Sequence, residues 1–427
     1  ELTGILTTLF AKIIPSFPID WFEGYWAVLF VMTFACTSNH MIFLRNAMRS
    51  VDFQTVEAAQ NMGASQFRIL TKVVLPVLTP SLMAVTILTF ITGLSATFAN
   101  NVSSRPLAAL LALFLGVATI ILLTIMIQIE KRGHYMSVSK VKTTIVKQKI
   151  RNPILNVLAH VYAYLLFLIY VIPVALVVLF SFTDSATIAS KHLTLSSFTL
   201  ENYISIFQKA SSYKPFVVSI AYSAIAASFV AIIVLIACRI LQKRKDRLGG
   251  ALEYGLLIPW LLPTTLMALG LITTYNTPRV WMFNKVLTGT SVIMLIGYII
   301  IKIPFTLRMT KAAFFSLDDS LEDAARNMGA KPFYTFMRVQ LPIILPTVLA
   351  IFALNFNGLL GDYDMSVFMY HPLNKPLGVY IKSLTDSETN ADNAALTFVY
   401  AVLMMIISAA VMYLVYGRGN KVDKNKD

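Results

Sequence analysis

Long apolar runs alternate with short polar or basic stretches along this chain. A helix needs about 20 mostly apolar residues to cross a hydrocarbon layer. Windows of that kind lie at roughly 25–44, 76–97, 105–128, 153–182, 215–240, 252–275, 288–308, 341–361 and 394–416, nine candidate spans. The long run at 153–182 contains Pro173 and is expected to tilt or to extend beyond the bilayer. Two amphipathic stretches interrupt the alternation: VEAAQNMGASQFRILTKVVLPVLTP at 56–80 and LEDAARNMGAKPFYTFMRVQLPIILP at 321–346. Both are too polar for lipid.

The two stretches are copies. Gly63 and Gly329, Pro76 and Pro342, and Pro80 and Pro346 are each 266 positions apart. No gap is needed between 57–80 and 323–346, and 11 of those 24 positions are identical. Chance similarity between apolar segments does not retain Asn61/Asn327, Gly63/Gly329 and both prolines together. The chain therefore holds two parallel halves of about 260–270 residues.

Each copy predicts the same local structure. Glu57-Ala58-Ala59 opens a short helix of good formers. In the second copy Asp319 and Glu322 have capping-box spacing, with Asp318 nearby. Gly63 and Gly329 stop these helices at the C′ position, where a positive φ suits glycine. A second amphipathic segment follows, carrying Phe67, Ile69 and Leu70 or Phe333, Phe336 and Met337, and Leu-Pro is expected to start the next span.

Composition settles the class. Apolar residues make up 57%, charged residues 13%, and the mean hydropathy is +0.71. Soluble domains carry about 25% charged residues, so this is an integral, multi-pass membrane protein. The net charge of +14 fits basic loops beside anionic headgroups, and no aromatic-basic platform for nucleic acid is present. Cys36 and Cys238 lie in apolar runs and read as small buried hydrophobes. Lys302 and Arg308, and Arg45 and Arg49 in the other half, read as snorkelling cations at span ends.

The basic segments 131–151, 239–247 and 417–427 belong in the cytoplasm by the positive-inside rule. Both repeated loops then face the cytoplasm, and 183–214, 276–287 and 362–393 lie outside. The organisation expected is a partial first half at 1–130, a basic linker at 131–151, a complete second half at 152–418 and a tail at 419–427. The second half has four spans before its loop and the first has one, so three spans are expected to be missing from a twelve-span protein. The stretch after Gly93 is likewise short beside the loop of about 35 residues after Gly358.

The spacing Glu57-Ala58-Ala59…Gly63…Val73-x-Leu75-Pro76 resembles the EAA motif of ABC-importer permeases, and Ala64 continues the identity. The second copy reads Asp323-Ala324-Ala325…Gly329-Ala330…Val339-x-Leu341-Pro342, with Asp where the motif has Glu. The resemblance implies an all-α membrane protein with the type I ABC-importer transmembrane fold, two parallel repeats of about six helices each, the first truncated at its N-terminus. It implies coupling loops at about 45–76 and 311–342 that dock on an ABC ATPase homodimer in a bacterial cell membrane. An extracytoplasmic substrate-binding protein would deliver solute. No G-x-x-x-x-G-K-[ST] is present, so ATP and Mg belong to the partner ATPase and this chain is not itself an enzyme.

Within that family, two fused halves and the run GDYDMSVFMYHPLNKPLGVYI at 361–381 resemble permeases for ferric iron. Related fused permeases serve thiamine and phosphonates, and sulfate, molybdate and polyamine permeases are more distant and usually have separate chains. Asp362, Tyr363 and Asp364 offer the oxygen donors that Fe(III) prefers, at the outer end of a span, and Asn355 and Asn357 precede them in apolar sequence. The plainer reading is that the acidic cluster caps a helix end among headgroups. A secondary transporter with parallel halves would share the repeat without needing the EAA spacing. A membrane-embedded enzyme needs clustered ionisable groups and a channel needs a filter, and the sequence offers neither.

Overall fold

The computed structural model describes residues 24–48, 53–79, 152–190, 195–244, 246–278, 284–315, 319–385 and 393–416, with scattered positions elsewhere. The basic linker 131–151, the tail 419–427, most of the candidate spans 76–97 and 105–128, and the side chains of Cys36, Arg45, Arg49, Asp318 and Asp319 lie outside the described residues.

The chain divides into two compact units, 1–173 and 174–427. The first contains α1 (Gly24–Met48), α2 (Phe53–Asn61), α3 (Gln66–Ile69) and most of α4 (Pro153–Ser181). The boundary between these units falls inside α4, at Pro173. Tyr170 of α4 donates its hydroxyl to the Phe34 carbonyl of α1 at 3.0 Å, and the two rings meet edge to face. Helices in lipid associate by packing and hydrogen bonds, not by a need to stay with their chain neighbours. Most of α4 is exposed and apolar on all sides, as lipid contact permits.

The second unit is a helical bundle. Its main elements are α5 (Ala210–Lys243), α6 (Arg247–Leu257), α7 (Thr264–Tyr275), α8 (Ser291–Phe315), α9 (Asp319–Asn327), the short α10 (Pro332–Thr335), α11 (Leu341–Leu360), α12 (Leu377–Thr385) and α13 (Asn393–Tyr416). Helix α5 is central. Ser219, Ser223, Ala226, Ala227, Val230, Val234, Ala237 and Cys238 form a buried stripe at helical spacing, small enough for α8 and α11 to approach closely. Val230, Val234, Cys238 and Leu241 pack with Leu307 and Phe314 of α8 and with Ile344 and Val348 of α11. A second cluster joins Tyr222 and Ala226 to Ala268, Ile293, Met294, Tyr298 and Leu359. Outward-facing residues such as Val217, Phe229, Ile236, Leu349 and Leu414 are large, apolar and exposed. Only a lipid solvent makes that arrangement stable.

Among the described residues five helices are long and apolar enough to cross a membrane, or six if one bent pair is a single span. That pair corrects the span expected at 252–275. Residues 247–260 and 264–275 meet at 106°, with Pro259 and Pro263 at the break. Proline supplies no backbone donor, and its ring disfavours a helical residue before it.

Candidate functional site

The two repeated loops fold alike, each within its own unit. Helices α2 and α9 run over equivalent positions, ending at Asn61 and Asn327. Gly63 follows at φ +78° and Gly329 at φ +81°. The Gly63 amide donates to the Gln60 carbonyl at 2.9 Å and the Ala64 amide to Ala59 at 3.0 Å; Gly329 to Arg326 and Ala330 to Ala325 repeat both distances. This paired pattern is the Schellman stop. A Cβ at either glycine would meet nothing within 4 Å, so the left-handed backbone, not lack of space, requires glycine.

In the second unit Leu341-Pro342 open α11, with the proline in its first turn as expected, but further helical turns precede Leu-Pro in both copies. Ser65 caps α3, its hydroxyl accepting from the Arg68 amide, and Pro332 occupies the first turn of α10. Each short helix then passes through a π turn, Leu70–Val74 or Phe336–Gln340, and continues as a helix past Pro76 or Pro342. The wider turn carries the backbone past a residue that cannot donate.

Burial also repeats. Ala59 and Ala325 face inward, as do Ile69 and Thr335. Glu57, Ala58, Asp323 and Ala324 are exposed. Met62 and Met328 are 80% and 81% exposed, and Phe67 and Phe333 are 74% and 71% exposed. Each loop thus presents a methionine, a phenylalanine and an acid on the open side of a glycine turn.

What holds each loop differs. In the first unit Val51, Ala59, Ile69, Val74 and Leu78 form an apolar cluster, with Val56 packed against it. In the second unit Glu322 stands where Val56 stands, and Gln340 where Val74 stands. Arg239 grips Glu322 with two nitrogens at 2.9 and 3.0 Å, Lys243 bonds it at 2.7 Å, and the Gln340 amide donates at 3.0 Å. The carboxylate expected to close a capping box is therefore turned to the end of α5. Arg239 above all, by its hydrogen bond, holds the Glu322 carboxyl at about 2, below its ordinary 4.5. The paired changes Val56/Glu322 and Val74/Gln340 were the legible signal of this latch.

The five residues expected along a pathway are not gathered at one point. Asn355 is buried and donates to the Thr306 hydroxyl at 2.7 Å, joining α11 to α8. One Asp362 oxygen accepts the amides of Met365 and Ser366 at 3.3 and 3.1 Å, capping the short helix Ser366–Met369. The Tyr363 carbonyl accepts the Val367 amide, and Asp364 is exposed. No group of three His, Cys, Asp or Glu residues among the described ones could hold a metal ion. Asn357 does line an open cavity of about 360 Å³ with Gly358, Gly361, Met404, Met405 and Ser408.

Lys302 differs from expectation, whereas Arg308 lies near the end of its span. Lys302 lies near the middle of the span Ser291–Lys311 and does not snorkel to its end. Its ammonium rests against Gly358 of α11, where a Cβ would stand 2.9 Å from Nζ. Arg308 stacks over the Trp260 ring at 5.6 Å.

Comparison with known proteins agrees with this geometry. Residues 230–420 match the family model of the binding-protein-dependent transport system inner membrane component. A protein of Sinorhizobium fredii designated an ABC transporter permease is 38% identical over 433 residues, covering 96% of this chain and 75% of that protein. A Salmonella paratyphi A permease assigned to 2-aminoethylphosphonate transport is 24% identical over 50% of this chain and 78% of its own length. In fold the chain is similar to a bacterial ABC transporter involved in alginate import, with a TM-score of 0.50 at 16% identity, over 63% of this chain and 95% of that one. This multi-pass membrane chain belongs to the binding-protein-dependent transport system inner membrane components, the permeases of ABC importers.

Proposed function

We propose that the chain carries solute inward by alternating access, driven by ATP hydrolysis on a separate ABC ATPase homodimer, with both loops and the C-terminus in the cytoplasm. The observation that carries this reading is the repetition of one loop geometry at positions 266 apart. Two equal docking elements suit the two equal grooves of a homodimeric ATPase. Glu57, Ala58, Ala59, Gly63 and Ala64, with Asp323, Ala324, Ala325, Gly329 and Ala330, form the coupling surfaces. ATP and Mg bind the partner. An extracytoplasmic binding protein supplies solute at the opposite face.

For the solute, resemblance of the fused halves and of the 361–381 run supports ferric iron. The test is uptake of radiolabelled ferric iron by iron-starved cells with and without the gene, with ATP depletion as the control. Uptake that falls with both gene and ATP supports the iron reading; unchanged uptake removes iron as the solute.

A second reading is a small oxyanion. It is favoured by the lysine in mid-span, and relatives assigned to phosphonate and sulfate transport point the same way. Thiamine and polyamines, being cationic, find no such support.

A further inference from the structure

A lysine near the middle of a membrane span is costly unless its charge is compensated, and such residues mark solute pathways. Lys302 makes no ion pair among the described residues. The acid whose charge reaches it, Asp362, has one carboxylate oxygen engaged by two backbone amides. The half-buried ammonium instead lies over Gly358, where the missing side chain leaves it room. Gly358 and Asn357 both line the 360 Å³ cavity between α11 and α13, whose other walls are Gly361, Met404, Met405 and Ser408. The Asn357 amide nitrogen reaches toward the Ser408 carbonyl at 3.5 Å, the limit of a hydrogen bond, and its oxygen is buried without a partner. An amide nitrogen carries two donors, and the Ser408 carbonyl takes one of them.

We infer that Lys302, with Asn357 and Ser408, forms a transient subsite for the oxyanion group of the transported solute, in the cavity beside Gly358. A cation over a neutral, hydrogen-bonding wall recognises one small tetrahedral or planar oxyanion, such as a phosphonate, phosphate, sulfate or carboxylate. One lysine binds such a group weakly, as passage requires: the solute must enter and leave. Two glycines at 358 and 361 keep the wall thin on the α11 side. The inference deepens the oxyanion reading and rests on it.

The test uses the full chain in nanodiscs of a zwitterionic phospholipid, with radiolabelled methylphosphonate, phosphate and sulfate measured by equilibrium dialysis. Saturable binding of at least one oxyanion is expected. Lys302→Met should weaken it at least tenfold and Lys302→Arg should retain it. Asn357→Asp, which sets a negative charge in the same wall without removing the lysine, should weaken it similarly and serves if Lys302→Met does not insert. Equal affinity in wild type and these variants overturns the inference, as does wild-type binding of none of the three anions. Phosphatidylglycerol retained in a Lys302-dependent way, with no soluble oxyanion bound, assigns the site to a lipid headgroup and also overturns it. ATP-dependent coupling is read separately through Gly63→Pro. A chain that couples normally but binds no oxyanion sinks this inference and the oxyanion reading, and leaves ATP-driven import standing.

Discussion

Val74 and Gln340 occupy equivalent positions in the two loops, yet one closes an apolar cluster and the other donates to a half-buried carboxylate. Their partners change in step: Val56 accompanies the first and Glu322 the second. The same helix–turn–helix is thus fastened by burial in one half and by charge in the other. Burial responds little to salt, whereas charge pairing responds to both salt and partner loss.

The two fastenings predict unequal responses. Glu322→Gln should raise the opening of α9, seen as amide hydrogen exchange over 319–327, by roughly tenfold or more, since hydrogen bonds to charged groups contribute about 1.5–3 kcal/mol. Exchange over α2 should not change. Equal effects on both helices would show that the latch does not act locally.

Removing one partner should cost more than removing both. Glu322→Val leaves Arg239, with 16% of its side chain exposed, facing no anion. Adding Arg239→Leu should recover part of the loss, with a coupling of about 1–3 kcal/mol in a double-mutant cycle. Additive losses in thermal unfolding would argue against a direct pair.

The pH dependence has a definite sign. The carboxyl of Glu322 is held below its ordinary value of 4.5, at about 2, so its contribution is fully present above the ordinary value. It declines as pH falls from 4.5 toward 2. Exchange protection of α9, corrected for intrinsic rates, should be flat from pH 8 to 6, and lower by a constant factor in Glu322→Gln across that range. A wild-type fall between pH 8 and 6 would assign the latch to another group.

Glycine substitutions should separate conformation from space. Gly63→Ala and Gly329→Ala meet no atoms, so each should cost only about 1–2 kcal/mol of left-handed strain. Gly63→Pro or Gly329→Pro cannot adopt the positive φ and should uncouple transport while the chain stays in the membrane. Normal ATPase capture and transport in both proline variants would remove the coupling role. By contrast, a Cβ at Gly378 would collide with the backbone oxygen of Asp362, which has no rotamer to change. Gly378→Ala should lower the melting temperature well beyond either loop alanine.

The repeat, the straight apolar spans from Pro153 onward and the glycine stops were legible in the sequence, because each is a local or periodic property. A period of apolar residues reports lipid exposure, and a glycine at a fixed offset reports a positive φ, whatever surrounds it. Tertiary structure alone decided where the long polar side chains ended. Lys302 could reach the span end or Gly358, and Glu322 could cap its own helix or meet Arg239, 83 residues away. Such side chains reach several ångströms in many directions, and only the packing of α5, α8 and α11 selects among their partners. The bend at Pro259 and Pro263, and the pairing of α4 with α1, were settled the same way, by neighbours that no local pattern names.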